Sequence, residues 1–506
     1  MKMRIGLGIL KRGGAGTDSL LLSFIQIITY MCSMITAKLL SVALTKTEYG
    51  TYASVMLVIT TTCSLILLGL PDCINYFFNI RAKDSNSNER ESYVNTILGI
   101  CLCVGIGAGV ILLIVSDHIS YYFKNPAIKG LVVIACLMPC FENAVRLYQT
   151  LYVSTGNARV IAVRNFIISL IKVVIVAVSL FFFKSLELVF ILNVLLDFLQ
   201  LIILAGMFGK IKYFVNPFKV DLRKVGEILK YGLPMGVYAI TNTLMREVDK
   251  LVIARITTIE TLALYTNCSK LLPLSLFVSS FATVLIPYIT KYVTSHDQDN
   301  AKRLFKSYLQ IGYLTIWMFS GAIIVSAREI IPFLYSDAYV EGLPIFIIYV
   351  LDGVLQFASM HLIVAASGNT TFIMKLSVAL LCVNSVLDIG LYYLLDIFNI
   401  GMLGPAIATC VVTMVYALIM LGKSKKVVGA SINEIVDIKH MVKYILELVL
   451  IAFVTALIRK FLIAIEVQRY LCMIICCSVY CAIIFAIHLK DYEKLIHQIN
   501  RLKLGD

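Results

Sequence analysis

Apolar runs long enough to form membrane-spanning helices recur along the whole chain, separated by short polar segments. A helix needs about 20 residues to cross about 30 Å of hydrocarbon. By that criterion the pattern predicts about fourteen spans. They cover residues 18–44, 49–80, 94–116, 127–154, 160–183, 187–208, 231–256, 260–288, 305–326, 340–366, 371–395, 401–421, 442–462 and 470–489. The expected fold is an all-α polytopic membrane protein.

Composition narrows the picture in the same direction. The 506 residues are 60% hydrophobic and 15% charged, and the mean hydropathy is +0.90. A soluble domain carries roughly 45–50% apolar and about 25% charged residues. Soluble, disordered, collagen-like and coiled-coil classes are therefore excluded. The net charge of +14 would suggest nucleic acid in a soluble protein. Here its location argues otherwise. With the N-terminus inside, Lys and Arg concentrate in alternate loops and in both tails, as expected for cytoplasmic segments. Both termini are thus expected in the cytoplasm, with no nucleic-acid partner. The basic stretches 210–230, 423–443 and 490–503 read as solvated charge, with weak contact to anionic membrane lipids as a second role. The first apolar run is too long for a cleaved signal.

The chain also repeats itself. Ser154-Thr155-Gly156-Asn157-Ala158 recurs as Ala366-Ser367-Gly368-Asn369-Thr370, 212 positions later. Thr47-Glu48-Tyr49-Gly50-Thr51-Tyr52 resembles Glu260-Thr261-Leu262-Ala263-Leu264-Tyr265 at nearly the same offset. An even number of spans between equivalent points gives a parallel repeat about an axis along the membrane normal. The predicted organisation is an N-terminal lobe at 1–208, a basic cytoplasmic linker at 209–230 and a C-terminal lobe at 231–421. Residues 422–506 add a second linker, two further spans and a basic tail. A cleft between two six-helix lobes, worked by rocking one against the other, is the expected substrate route.

Several chemistries are missing. All 14 cysteines lie in apolar stretches, where Cys packs as a small hydrophobe, so neither a disulfide framework nor a metal site is expected. Gly422-Lys423-Ser424 ends like a phosphate-binding loop, but Ala417 stands where its first glycine belongs. Gly105-Ile106-Gly107-Ala108-Gly109 lies inside a span and reads as close helix packing. The six histidines are scattered; His361, within a span, reads as structural, with a weak proton-linked role as the alternative. The outer loops are too short for a catalytic domain, so no enzymatic activity, catalytic residue or cofactor is expected.

Charges inside spans remain to be explained, because each costs about 2.5–3.5 kcal/mol at the bilayer centre. The cations are Lys38, Arg146, Lys172, Arg246, Lys250, Arg255 and Lys270; the acids include Glu142, Asp197, Glu247, Asp249, Asp352, Asp388 and Glu447. Asn242, Arg246, Asp249 and Lys250 share one face of span seven, and Lys38 is the repeat equivalent of Lys250. Lys38, Arg246, Lys250 and Lys270 form a cationic surplus suited to an anion. Arg fits phosphate because its planar fork makes two hydrogen bonds at once. Asn242 and Asp249 would support that site, with Asp249 holding Arg246. Arg146 is a further candidate, paired at i, i+4 with Glu142. Lys172 and Asp197 could pair between spans five and six. Asp352 and Asp388 have no cation at equal depth and are candidates for a coupling ion. Arg255 is expected to snorkel to the interface. Pro234, Pro273, Pro287, Pro344 and Pro405 are expected to interrupt spans.

The segment Tyr231-Gly232-Leu233-Pro234, then Val248-Asp249-Lys250-Leu251-Val252-Ile253, then Leu262-Ala263-Leu264-Tyr265, resembles the seventh-to-eighth span signature of the Wzx-type polysaccharide biosynthesis flippases. These belong to the multidrug/oligosaccharidyl-lipid/polysaccharide exporter superfamily. Leu285-Ile286-Pro287 and the segment 45–52 look like that family too. Lys250 and Ala254 depart from it, standing where the family usually has Arg and often Gly. The resemblance implies a flippase carrying undecaprenyl-diphosphate-linked oligosaccharide from the cytoplasmic to the outer leaflet of a bacterial plasma membrane for surface polysaccharide synthesis. It implies lipid-linked oligosaccharide as partner, with proton or sodium coupling and polymerase and export machinery downstream. A cation-coupled multidrug exporter and a peptidoglycan-precursor flippase share the fold. A membrane glycosyltransferase would need a large outer loop, and a scaffold would not explain buried charge in both lobes.

Overall fold

The computed structural model describes residues 15–78, 87–208, 216–270, 285, 288–295 and 297–504. Among them the chain is helical, with no strand. In chain order the helices are α1 Ala15–Ala43, α2 Lys46–Leu67, α3 Leu70–Tyr76, α4 Ser87–Tyr122, α5 Ala127–Ala135, α6 Met138–Ser154, α7 Ala158–Ala177, α8 Leu186–Phe208, α9 Leu222–Ile256 and α10 Ile259–Cys268. There follow α11 Gln298–Val325, α12 Ala327–Leu334, α13 Leu343–Leu355, α14 Leu362–Ala366, α15 Thr370–Asp396, α16 Leu403–Val428, α17 Ile432–Ile435, α18 Ile438–Ala464 and α19 Arg469–Leu504.

Among the described residues 12 helical segments are long and apolar enough to cross a membrane. They correspond to all the expected spans but two. The seventh is helical, within the 35-residue α9, yet its charges keep it below the hydropathy of the others. The eighth begins as α10; residues 271–284, 286 and 287, which include Pro273 and Pro287, lie outside the described residues. α9 also starts nine residues before the expected span, inside the basic linker. The linker is pinned locally: Asn216 N donates to Asn95 Oδ1 at 2.8 Å, and Asp221 N donates to Thr96 Oγ1 at 3.0 Å. Tyr93 donates to Glu227 at 2.9 Å.

Of the described prolines expected to interrupt spans, only Pro234 does so. Pro344 lies in the first turn of α13 and Pro405 in that of α16, where the missing N–H has no intrahelical partner to lose. The expectation for those two is corrected accordingly. Lys423 and Ser424 lie within α16, so no phosphate-binding loop forms there.

The chain forms two compact units: 1–44, 58–119 and 127–236; and 45–57, 120–126 and 237–506. The core of the first gathers Phe77, Tyr93, Tyr148, Tyr152 and Phe208. That of the second gathers Phe305, Tyr308, Tyr313, Trp317, Tyr444 and Tyr480.

The sequence repeat is a structural repeat at the level of the turn. After α6, the amides of Thr155, Gly156 and Asn157 donate to the carbonyls of Leu151, Val153 and Tyr152. After α14, those of Ser367, Gly368 and Asn369 donate to Ile363, Ala365 and Val364. Every partner is displaced by the same 212 positions. Gly156 and Gly368 both have φ +79°, the left-handed conformation that glycine adopts without a Cβ penalty. The side chains repeat as well: Asn157 Nδ2 donates to Thr155 Oγ1 at 3.1 Å, and Asn369 Nδ2 to Ser367 Oγ at 2.8 Å.

In α4 the glycine run serves packing on one face only. A Cβ on Gly105 would stand 2.8 Å from Cys140 Cα, and one on Gly109 would stand 3.0 Å from Cys136 O. Gly107 faces away, with nothing within 4 Å. Gly105→Ala is therefore expected to lower stability by about 1–3 kcal/mol, the usual cost of overpacking. Gly107→Ala should be neutral or stabilising by up to about 1 kcal/mol. Thermal melting of the two purified variants checks the contrast; equal melting temperatures would remove the packing role.

Candidate functional site

The second unit holds the densest set of buried charge. Its centre is Asp249 on α9, 2% exposed. Its Oδ2 accepts hydrogen bonds from Tyr265 of α10, at 3.1 Å, and from Tyr349 of α13. The two phenol oxygens are 3.0 Å apart. Asp249 Oδ1 accepts from the Lys250 amide at 2.8 Å. Asp249 is thus satisfied by phenols, and the expected pairing with Arg246 is not made. α9 explains why: Asp249 is turned into the packed interior while Arg246 is exposed. Among the described residues Arg246 has no ion pair.

The other expected cations fare differently. Lys250 Nζ meets Glu247 Oε2 at 2.8 Å and donates to the Arg246 carbonyl at 3.1 Å. Its charge is neutralised on its own helix. Lys270 Nζ donates to Tyr49 Oη at 3.2 Å and to Asn267 Oδ1 at 3.3 Å. It also lies 5.9 Å from the ring centroids of Tyr49 and Tyr335. Among the described residues its hydrogen-bond partners are a phenol and an amide, with no carboxylate. Asn242 is half-buried on the same helix as Arg246. Lys38 belongs to the first unit and is half-buried on α1.

Two carboxylates lie near Asp249. Asp352 on α13 and Asp388 on α15 are 1% and 0% exposed, and the charge of Asp249 reaches both. Gln356 Nε2 donates to Asp352 Oδ2 at 2.7 Å, and Asn384 Nδ2 donates to Asp388 Oδ2 at 3.3 Å. Asp352 Oδ1, Asp388 Oδ1 and Asn384 Oδ1 are buried without a hydrogen-bond donor. Among the described residues neither carboxylate has an ion pair. Buried acceptor oxygens left over in this way suit a hard cation or a proton. Tyr349 and Asn384 were not singled out by sequence reasoning, and Tyr265 only as the last residue of a repeated segment. Asn384 had a signal, one turn before Asp388 on the same face; Tyr349 had none.

In the first unit Arg146 Nη2 binds Glu142 Oε1 at 2.8 Å, the expected i, i+4 bridge. Fully buried Asn143 holds the Cys63 carbonyl at 2.9 Å. Asp197 is buried and accepts from Gln200 at 3.1 Å. The expected pairing with Lys172 is not made among the described residues, and Asp197 Oδ2 has no hydrogen-bond partner; Lys172 acts on it only at longer range, as does Arg164, which sequence reasoning missed. His361 is half-buried at the start of α14. All 14 cysteines are free. A cavity of about 660 Å³ in the second unit is lined by Lys124, Thr258, Glu260, Tyr392, Asp396 and Asn399 among others; none of the expected site residues lines it.

Arg255 is exposed, with its guanidinium carbon 5.7 and 5.8 Å from the Tyr121 and Tyr122 ring centroids. Such contacts contribute about 0.5–1 kcal/mol at exposed sites. Arg255→Ala should therefore be mild, retaining most transport; a null phenotype with normal membrane insertion would place Arg255 in the substrate route.

Residues 37–344, more than half of the chain, match the model of the polysaccharide biosynthesis protein family. The chain belongs to this family. Its fold is that of the superfamily to which several solved transporters belong. An inward-facing multidrug resistance MATE transporter of the MOP superfamily matches with TM-score 0.67 at 11% identity, over 81% of this chain and 97% of its own. The lipid II flippase MurJ, in an inward closed conformation, matches with TM-score 0.67 at 13% identity, over 94% and 99%. A MOP superfamily transporter from Pyrococcus furiosus, described as having a binding pocket of reverse polarity, matches with TM-score 0.57 at 13% identity, over 81% and 94%. No curated protein sequence matches the chain. This member of the polysaccharide biosynthesis family is thus a multi-span membrane protein with the fold of the MOP superfamily transporters.

Proposed function

We propose that this protein is a flippase that moves undecaprenyl-diphosphate-linked oligosaccharide from the cytoplasmic to the outer leaflet of a bacterial plasma membrane, for surface polysaccharide synthesis. The observation that carries the reading is the polysaccharide biosynthesis family match, on a fold shared with a lipid II flippase. The physical logic agrees. A diphosphate and a polar glycan cannot cross hydrocarbon unaided, whereas the lipid tail can remain in it. Arg246 and Lys270, cations without a carboxylate partner among the described residues, offer the headgroup charge and hydrogen bonds. Lys250, already paired with Glu247, takes a secondary part. Asp352, Asp388 and Asn384 take the coupling cation or proton, which links transport to an ion gradient through alternating access. Both termini lie in the cytoplasm, and polymerase and export machinery receive the product.

The test is the leaflet location of lipid-linked oligosaccharide in cells lacking the protein. Build-up on the cytoplasmic leaflet, reversed by the wild-type chain, supports flipping. Normal delivery without a redundant flippase overturns it and leaves drug export, the activity named for the MATE relative, as the reading to pursue. Arrest of growth with accumulated peptidoglycan precursor would instead assign a different lipid cargo.

A further inference from the structure

Outside the charge clusters of the proposed transport site, α18 and α19 bring together two histidines far apart in sequence. His440 Nε2 lies 3.5 Å from Asp491 Oδ2, and His488 Nδ1 lies 2.8 Å from the same oxygen. The three ligand-type atoms are all within 4.8 Å of one another. We propose that His440, His488 and Asp491 form a binding site for a divalent transition-metal ion of zinc type, which ties α18 to α19.

Three features support a built site. First, the second nitrogen of each ring is held. Tyr313, from α11, places its hydroxyl 2.7 Å from His440 Nδ1, and Glu447 places Oε2 2.8 Å from His488 Nε2. That leaves one nitrogen of each ring for the metal. It is the pattern of metal-binding histidines, whose other N–H is normally fixed by a carboxylate, carbonyl or comparable acceptor. Second, the spacing fits. Zinc bonds of about 2.0–2.2 Å in tetrahedral array set neighbouring ligand atoms about 3.4 Å apart, between the two histidine–aspartate separations, and the two ring nitrogens lie within 4.8 Å of each other. Third, the charge fits. Asp491 and Glu447 bring two carboxylates to the cluster, and Lys443 Nζ, 3.6 Å from Glu447 Oε1, is the adjacent fixed cation. A neutral imidazole has a single N–H, so His488 cannot satisfy both carboxylates while neutral. Either a proton or a metal must sit at Nδ1. His488 is 4% exposed, and the edge of the Tyr444 ring packs against it at 4.8 Å between centroids, which fixes its orientation. The three ligands leave a fourth position to water.

The experiment uses the full chain purified in detergent, stripped with chelator and equilibrated with zinc chloride, then measured for bound metal and melting temperature. One zinc per chain and a raised melting temperature are expected. His440→Ala, His488→Ala and Asp491→Asn should each lose stoichiometric zinc, or bind it at least tenfold more weakly. His361→Ala should retain it. Glu447→Gln, which weakens the support of His488 without removing a ligand, should weaken binding while keeping the one-to-one ratio. Cobalt substitution should give the intense visible absorption of a four-coordinate ion. Wild-type protein without stoichiometric zinc would overturn the proposal whatever the variants do. So would zinc retained by His488→Ala, or a histidine NMR spectrum showing a doubly protonated His488 in the presence of zinc, which would make the proton the occupant.

Discussion

Replacing Arg246 with alanine is expected to abolish polymer export while leaving the protein folded and at normal levels in the membrane. The separation of activity from stability is the informative part. Lys250 has Glu247 as a partner, so its loss would strand a carboxylate. Arg246 has no ion pair among the described residues and is exposed, so alanine there breaks no internal bond. Removing a lone cation from a span relieves a cost of about 2.5–3.5 kcal/mol, and stability should hold or rise. A hydrogen bond to a charged group contributes about 1.5–3 kcal/mol, or roughly 10- to 150-fold in headgroup affinity. Arg246→Lys keeps the charge and loses the planar fork, so it should fall between wild type and alanine. Surface polysaccharide quantified against membrane protein level checks all three. Wild-type export by Arg246→Ala at normal expression would remove Arg246 from the substrate site.

The limits of the sequence are as physical as its successes. The spans were legible because hydrocarbon thickness dictates run length, and the turn after α6 was legible because Gly156 and Gly368 are confined to one backbone conformation. α9 was cut short because the charged first turns of its helix carry the composition of a loop. The charge stripe of span seven was legible as a shared face, but its pairing was not. Helical spacing says that Arg246 and Asp249 are neighbours; only packing shows Asp249 turned towards Tyr265 and Tyr349, which come from other helices. Tyrosine in an apolar run gives no signal of such a role. The histidine cluster was hidden for the same reason. His440 and His488 are 48 positions apart, and what unites them is the antiparallel packing of α18 on α19.

The second large effect is expected at Asp388. Asp388→Asn should uncouple transport from the ion gradient with little loss of stability. Asp352 and Asp388 are both buried within electrostatic reach of Asp249 and are repelled by it when ionised, and among the described residues no cation pairs with any of the three. The phenols of Tyr265 and Tyr349 answer the charge on Asp249. Asp352 has the Gln356 amide and the nearby Thr413 hydroxyl, Asp388 has one amide donor, and Asn384 turns an unused carbonyl oxygen to the interior. An arrangement with more acceptors than donors is stable only when something positive joins it, a cation or protons on the carboxyls. An amide at 388 removes one negative charge and supplies two donors, so the folded state no longer needs that partner. Asp249→Asn differs, because it replaces a carboxylate accepting from two phenols and should cost about 1–3 kcal/mol as well as activity. In proteoliposomes, transport by Asp388→Asn should lose its response to an imposed sodium or proton gradient. A sodium-induced rise in melting temperature, if sodium is the ion, should vanish with it. Full gradient response in Asp388→Asn would mean that the ion is held elsewhere, and that the unsatisfied oxygens of α13 and α15 are met by buried water.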